Sequence, residues 1–245
     1  MNRIFPLLLA ALLLAVASVY AAESERTVKP VHFAKGSSDT VIKDSILGYH
    51  TIDYQFRAAA GQTLKVSLQT ANGANYFNIL PPGSVDVAMY NASTGGNRFE
   101  GLLPYDGVYS VRIYLMRSAA RRNERAYFSL AIDVTGKPLV AVSAKVDAVI
   151  PGTPFHAMTT APCTPAYTQA RECEAWVIRR GFDGTATVEL RWDKTAKLRI
   201  LFVKGKPVAS DTMHAMTYTR DEKGWIVRFG KDESFVVPEP LVFGG

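Results

Sequence analysis

Residues 103–134 read LPYDGVYSVRIYLMRSAARRNERAYFSLAIDV, and the alternation of apolar side chains in this stretch decides the fold class. Apolar residues recur at every second position in two runs, so each run predicts a β-strand with one buried face. The first run carries Tyr109, Val111, Ile113 and Leu115, and the second carries Phe128, Leu130, Ile132 and Val134. The polar segment between them favours a hairpin whose body lies in a core and whose tip lies at the surface.

Arginines crowd the tip of this expected hairpin. Four lie in the connection and a fifth lies on the strand before it: Arg117, Arg121, Arg122, Arg125 and Arg112. The one helical feature that we expect here is a turn over residues 118–122. A surface run of arginines is commonly only solvated and keeps a sheet edge from aggregating. A guanidinium also offers a planar fork that binds a carboxylate, so both interpretations stay open at this point.

The same period of two extends through the first half of the chain. Three further runs alternate: Ile52, Tyr54 and Phe56; Leu64, Val66 and Leu68; Val85, Val87 and Met89. Turns rich in Gly, Pro and Asn separate them, as at Pro81-Pro82-Gly83 and Gly95-Gly96-Asn97. Short strands with this punctuation predict an antiparallel β-sandwich over residues 23–136.

A break at residues 135–138 separates a second half that is also all-β. Its alternating runs are Trp176 and Ile178; Ala186, Val188, Leu190 and Trp192; Leu198, Ile200 and Phe202; and Trp225, Val227 and Phe229, which face Phe235 and Val237 across a hairpin at residues 230–233. A chain of this length can bury two modest cores. The expected fold is therefore an all-β antiparallel sandwich followed by a second, smaller all-β domain over residues 137–245.

The N-terminus indicates the compartment. Arg3 supplies a positive charge, an unbroken apolar run follows over residues 7–16, and Val19-Tyr20-Ala21 offers a cleavage site. This pattern predicts a secretory signal peptide over residues 1–22. A retained membrane anchor is the alternative, but the run is shorter than the roughly 20 residues that a spanning helix needs. We expect a periplasmic or secreted protein without stable membrane insertion.

Two cysteines, Cys163 and Cys173, lie in the second half. An even pair in an exported protein predicts a disulfide. The alternatives are a redox dithiol or a metal site, but the cysteines are much farther apart than in a thioredoxin-like motif, and no second pair completes a zinc site. We therefore expect a structural disulfide and no metal.

Composition and motifs argue against several function classes. The formal net charge of +6 is small for 245 residues, whereas a nucleic-acid-binding domain concentrates far more positive charge on one face. The histidines show no metal-ligand spacing: His32, His50, His156 and His214. The sequence contains no nucleophile elbow, phosphate-binding loop or dinucleotide fingerprint. We expect no nucleic acid, no cofactor and no enzymatic activity, while a triad assembled from distant positions stays open.

Three elements within residues 46–134 resemble the periplasmic inhibitors of g-type lysozyme. The first is carried by Gly48, residues 51–54, Phe56, Ala58, Gly61, Gln62, Leu64 and Val66. The second is carried by Leu103, Pro104, Gly107, Tyr109, Val111 and Arg112, and the third by Arg117, Ala120, Arg121, Arg122 and Asn123. The first element is also similar to the pre-peptidase C-terminal β-sandwich domains of secreted bacterial enzymes. The arginine element is the more specific one.

The resemblance implies a non-enzymatic protein that plugs the active cleft of a g-type lysozyme with its loops. Such a cleft holds a glutamic acid as general acid, which an arginine can bind with two hydrogen bonds. We expect the partner-binding residues in the D-G-x-Y turn and the arginine segment: Asp106, Gly107, Tyr109, Arg112, Arg117, Arg121, Arg122 and Asn123. The family has a serine where this chain has Asp106, so the turn would bring an acidic group to an acidic cleft.

Other interpretations of the same residues stay open. Asp106-Gly107 is also a plain turn signal, and Tyr109 at strand spacing is commonly a core residue. The arginines could instead hold cell-envelope glycan or lipopolysaccharide, and a secreted hydrolase is the third hypothesis. The second domain could extend the interface, dock a second partner or only stabilise the first. The sequence does not indicate the target lysozyme or the oligomeric state.

Overall fold

The computed structural model describes residues 25–244, and it is all-β with two domains, as the alternation predicts. The expected signal peptide lies outside the described residues. No helix within them is long and apolar enough to cross a membrane. The first-half elements are β1 (Arg26–Pro30), β2 (Asp39–Leu47), β3 (Thr51–Ala58), β4 (Thr63–Thr70), β5 (Asn75–Leu80), β6 (Tyr90–Asn91), α1 (Ala92–Gly95), β7 (Arg98–Leu102), β8 (Gly107–Leu115), α2 (Arg117–Arg121) and β9 (Arg125–Thr135).

The first domain is a sandwich of two sheets. One has the strand order β1-β3-β8-β5-β6 and the other β2-β9-β4-β7, with antiparallel pairing except between β1 and β3. Their inner faces share one core, in which Tyr54, Phe77, Tyr109 and Leu130 are almost fully buried. Each apolar side chain of this kind contributes about 2 kcal/mol when it leaves water. The predicted sandwich is therefore confirmed.

The predicted hairpin over residues 103–134 is wrong. β8 pairs with β3 and β5 in one sheet, while β9 pairs with β2 and β4 in the other. The apolar faces of β8 and β9 are buried as expected, but they face each other across the core. Period-two alternation shows which face of a strand is buried and does not show which strand lies beside it. The arginine segment is consequently a connection between sheets, with the expected helical turn present as α2.

The strand expected at Val85, Val87 and Met89 is also wrong. Val85 and Val87 lie in a loop and are 59% and 74% exposed. The strand that fills this place in the sheet is β5, whose Phe77 and Ile79 are buried. Pro81 and Pro82 follow β5 directly, and proline cannot donate a ladder hydrogen bond, so the strand ends there.

The second domain is one curved eight-stranded sheet with the order β14-β13-β12-β11-β10-β17-β16-β15. The elements are β10 (Ala157–Thr164), β11 (Glu172–Arg179), β12 (Ala186–Arg191), β13 (Lys197–Val203), β14 (Lys206–Ser210), β15 (Met216–Asp221), β16 (Gly224–Phe229), β17 (Glu233–Val237) and α3 (Glu239–Phe243). The expected hairpin from Trp225 to Val237 is confirmed as the β16–β17 pair.

The buried face of β11 differs from the expectation. The alternating run of Trp176 and Ile178 predicts that these two residues share the apolar face, but the core face of this strand carries Cys173, Ala175 and Val177. Ile178 is buried on the opposite face, where its cross-strand partner Thr187 contacts the first domain. Because both faces of β11 are covered, alternation alone could not distinguish them.

The disulfide between Cys163 and Cys173 is confirmed. It joins the neighbouring strands β10 and β11, with the two Cα atoms 5.8 Å apart. Both cysteines are buried and contribute to the core of the second domain. The bond therefore links two central strands of the sheet and stabilises this domain.

Replacing both cysteines by alanine should destabilise the second domain alone. Loop closure over ten residues predicts a loss of about 3 kcal/mol in free energy of unfolding. Denaturant titration, with separate probes in each domain, would measure this loss, and the purified wild-type protein should contain no reactive thiol. An equal destabilisation of the sandwich would contradict the assignment of the bond to the second core.

Candidate functional site

The expected partner-binding residues lie at two opposite ends of β8. Asp106 and Gly107 are at its start, whereas the arginine segment follows its last residue, Leu115. Nine residues of extended strand separate the ends by roughly 25 Å. We call the first the turn end, formed by Pro82 and residues 104–107, and the second the arginine end, formed by residues 116–125 and the turn at residues 47–50. The structure does not bring these two sets together.

At the arginine end, α2 presents two guanidinium groups to solvent. The helix buries Ala119 and Ala120, and this leaves Arg117 and Arg121 on the outside. Residues four apart lie on the same face of a helix, where like charges repel each other. Among the described residues, Arg122 is the arginine of this segment that forms an ion pair, with Glu124. Arg117 and Arg121 therefore offer positive charge that an incoming anion would neutralise.

The sandwich holds this segment in place through backbone and side-chain contacts, and the Gly48 amide donates to the Glu124 carbonyl oxygen at 3.0 Å. Asn123 follows the helix in the left-handed region, with φ of +52°, a conformation that asparagine tolerates well. Its side chain lies so close to Gly48 that a Cβ there would be 2.5 Å from Asn123 Oδ1. Hydrogen bonds from Asn72 and Arg122 lower the pKa of the Glu124 carboxyl. Asn123 thus joins the arginine segment to the turn at residues 47–50.

Exposed apolar side chains accompany the arginines. Tyr49 and Met116 are both 42% exposed, and Leu47, the last residue of β2, is 36% exposed. Tyrosine, methionine and arginine are enriched in protein interfaces over the rest of the surface. The sequence analysis did not select these residues, because a single exposed tyrosine in a turn carries no pattern. The arginine end has the composition of a protein-binding surface.

Arg112 has a different environment from the other arginines. It lies opposite Asp53 on the neighbouring strand and donates two hydrogen bonds to it, from Nε at 2.7 Å and from Nη2 at 2.8 Å. A third contact reaches Asp86 in the loop after β5. The hydrogen bond with Asp53 raises the pKa of Arg112. This guanidinium is therefore bound to Asp53 and Asp86 on the outer face of the sheet, opposite the core.

The turn end faces the second domain. Tyr109 is fully buried and donates to the Tyr105 carbonyl oxygen, and burial raises the pKa of its hydroxyl. Asp106 accepts from the Ala60 amide and from Arg180 of the second domain, at 2.8 and 2.9 Å. A Cβ at Gly107 would lie 2.6 Å from Pro82, so the turn also packs closely on its own domain.

Two further polar residues of the second domain, Thr187 and Arg199, also contact the turn end. Thr187 donates to the Pro104 carbonyl at 2.7 Å, and Arg199 donates to the Pro82 carbonyl at 3.0 Å. The Arg199 guanidinium also lies 4.1 Å from the centre of the Tyr105 ring. Sequence analysis missed these residues, although charged side chains inside otherwise apolar strands are a signal that the second face of a strand is covered.

No group of three or more His, Cys, Asp or Glu side chains could hold a metal ion in the part of the chain that the structure describes.

Comparison with known proteins relates the N-terminal half to one group of inhibitors. The inhibitor of g-type lysozyme from Escherichia coli (strain K12) is 30% identical over 107 residues, which cover 42% of this chain and 78% of that protein. The crystal structure of PliG from Aeromonas hydrophila, a periplasmic lysozyme inhibitor of g-type lysozyme, shares 36% identity over 45% of this chain and 98% of its own, with a TM-score of 0.43. No family model matches.

A solved structure also corresponds to the weaker resemblance, the one to pre-peptidase C-terminal domains. The pre-peptidase C-terminal domain of a collagenase from Bacillus anthracis shares 17% identity over 46% of this chain and 97% of its own, with a TM-score of 0.32.

Replacing Arg112 by alanine should destabilise the sandwich, because it leaves Asp53 buried without its cation. The loss of one partner of a buried pair costs about 3–5 kcal/mol, and Asp53 is 6% exposed in this pair. Chemical denaturation would measure the loss. The exposed Arg125 is the matched control, and its replacement by alanine should leave stability within about 0.5 kcal/mol. Equal stability of both variants would show that the Asp53 pair does not support the fold.

Proposed function

The chain belongs, through its sandwich, to the family of periplasmic inhibitors of g-type lysozyme, and we propose that it is an exported inhibitor that inserts its arginine end into the lysozyme cleft. The relatives are named as inhibitors and as periplasmic. In this proposal the protein performs no chemistry. It binds the enzyme and keeps the polysaccharide substrate out of the cleft.

The observation that carries the proposal is the pair of exposed guanidinium groups on α2. Arg117 and Arg121 project from the end of the sandwich that lies away from the second domain. A muramidase cleft holds a glutamic acid and further polar groups, and a desolvated carboxylate binds a guanidinium through charge-assisted hydrogen bonds. Tyr49 and Met116 add apolar area beside these charges. Together they match the acidic and sugar-stacking features of such a cleft.

The structure narrows the set of residues that we propose as direct contacts. Arg117, Arg121 and Arg122 remain in the set, with Asn123 positioning the segment against Gly48. The other four expected residues are engaged within the chain: Asp106, Gly107, Tyr109 and Arg112. We therefore propose that the D-G-x-Y turn supports the fold in this chain and that the arginine end alone enters the cleft.

The purified mature protein should inhibit g-type lysozymes at stoichiometric ratios and leave c-type and i-type enzymes active. The reason is that the cleft must accept the particular spacing of Arg117 and Arg121 on a rigid end of the sandwich. Cell-wall lysis with purified enzymes is the measurement. Protection of whole cells does not suffice, because binding of envelope glycan or lipopolysaccharide by the same arginines would also produce it. Undiminished lysis by several g-type enzymes at molar excess of the protein would refute the proposal.

Single alanine variants of Arg117, Arg121 and Arg122 test the contact itself. Each leaves a desolvated carboxylate of the enzyme without its partner, which typically costs about 2–5 kcal/mol of binding. Arg228, an exposed arginine of the second domain, provides a control with the same change of charge. Thermal unfolding and inhibition should be measured together. Normal unfolding with full inhibition in all three variants would exclude the arginine end as the contact.

A further inference from the structure

The turn end is an arginine-binding surface, and the second domain already occupies it. Arg180 binds Asp106 and the Leu139 carbonyl, and Arg199 binds the Pro82 carbonyl and lies over the Tyr105 ring. The side chains of these two arginines are 0% and 4% exposed. The groups of the turn end that these arginines contact are a carboxylate, a carbonyl oxygen and an aromatic face, all of which bind guanidinium groups.

The same sandwich carries exposed arginines at its other end. Arg117 and Arg121 lie on α2, roughly 25 Å from the turn end along β8. One end of the domain thus donates guanidinium groups, and the other end accepts them. Two different, complementary surfaces on one molecule form head-to-tail contacts that extend into open chains. An uncovered turn end would therefore accept the arginine end of a second copy.

The contact between the domains is separable from the fold of each domain. Each has its own core, and no strand pairing joins the two sheets of the sandwich to the sheet of the second domain in residues 25–244. The connecting residues 136–156 contain no helix or strand. The Arg180 side chain is buried, whereas that of Asp106 is 46% exposed, and a carboxylate in place of the guanidinium would repel Asp106. The Arg180–Asp106 pair is accordingly the point at which the contact can be broken.

We propose that the second domain, held by the Arg180–Asp106 pair, is an intramolecular shield that keeps the turn end from the arginine end of other copies. Self-association in this manner would bury Arg117 and Arg121, which are the residues that the proposed function needs at the surface. The shield therefore keeps the arginine end available. The inference itself requires no lysozyme, because both complementary surfaces belong to this chain.

The test uses the full mature chain with Arg180→Glu, which places a carboxylate against Asp106. Hydroxyl-radical labelling of the Tyr105 ring, over which Arg199 lies, reports whether the second domain has left the turn end. Hydrogen exchange in β9 and β16 reports whether both cores remain folded. We expect several-fold faster labelling of Tyr105 with unchanged exchange in both cores. Sedimentation should show a monomeric wild-type protein and a variant whose average mass rises with concentration to that of a dimer or more.

Second-site changes identify the contact. Adding Arg117→Ala and Arg121→Ala to Arg180→Glu should restore the monomer, and high salt should do the same, because the association is ionic. Adding Arg228→Ala, the control, should leave the association intact. The proposal is overturned if Tyr105 stays protected from labelling in Arg180→Glu, if the undocked variant remains monomeric, or if its association survives the loss of Arg117 and Arg121. Lysozyme inhibition by the wild-type protein is a separate measurement, so its absence would refute the proposed function and leave this result standing.

Discussion

The packing of β8 against β9 across the sandwich core is the interaction on which the rest of the structure depends. Each strand buries one apolar face, and the two faces meet because the strands belong to opposite sheets. The chain between them must then cross from one sheet to the other at the end of the sandwich. That crossing places α2 and its arginines at one end of the sandwich. A hairpin within one sheet would instead have placed them at the end of two neighbouring strands of that sheet.

The second domain covers the turn end, which lies at the other end of β8 from α2. Its Arg180, Thr187 and Arg199 bind the turn that precedes β8, and the neighbouring Glu189 and Asp211 neutralise Arg199. Burial raises the pKa of Asp211. Burial also acts to raise the pKa of Glu189, but the charge and hydrogen bond of Arg199, together with Arg191 and Lys197, leave that pKa lowered. These charges lie on the face of the sheet that alternation would assign to solvent. The turn that resembles a partner-binding turn in sequence thus contacts the second domain of the same chain.

The two ends of β8 also explain why the expected site divides. Asp106 and Arg117 are close in sequence, and the resemblance placed both in one binding surface. An extended strand carries its ends farther apart than any other element of the same length. Arg112, midway along it, faces Asp53 across the sheet and pairs there. Residues that are close in sequence are therefore far apart in space. Of the expected contact residues, those of the arginine end are exposed, whereas Asp106, Gly107, Tyr109 and Arg112 make contacts within the chain.

The sequence by itself determined the all-β class, the buried faces of β8 and β9, the short helix at the arginines and the disulfide. These properties follow from local period, from composition and from the pairing of two cysteines. Only the tertiary structure decided which strands are neighbours, why Val87 is exposed and Phe77 buried, and which arginines remain accessible. Arg117 and Arg180 have the same side chain, and their difference arises because one is at a free end of the sandwich and the other lies between two domains.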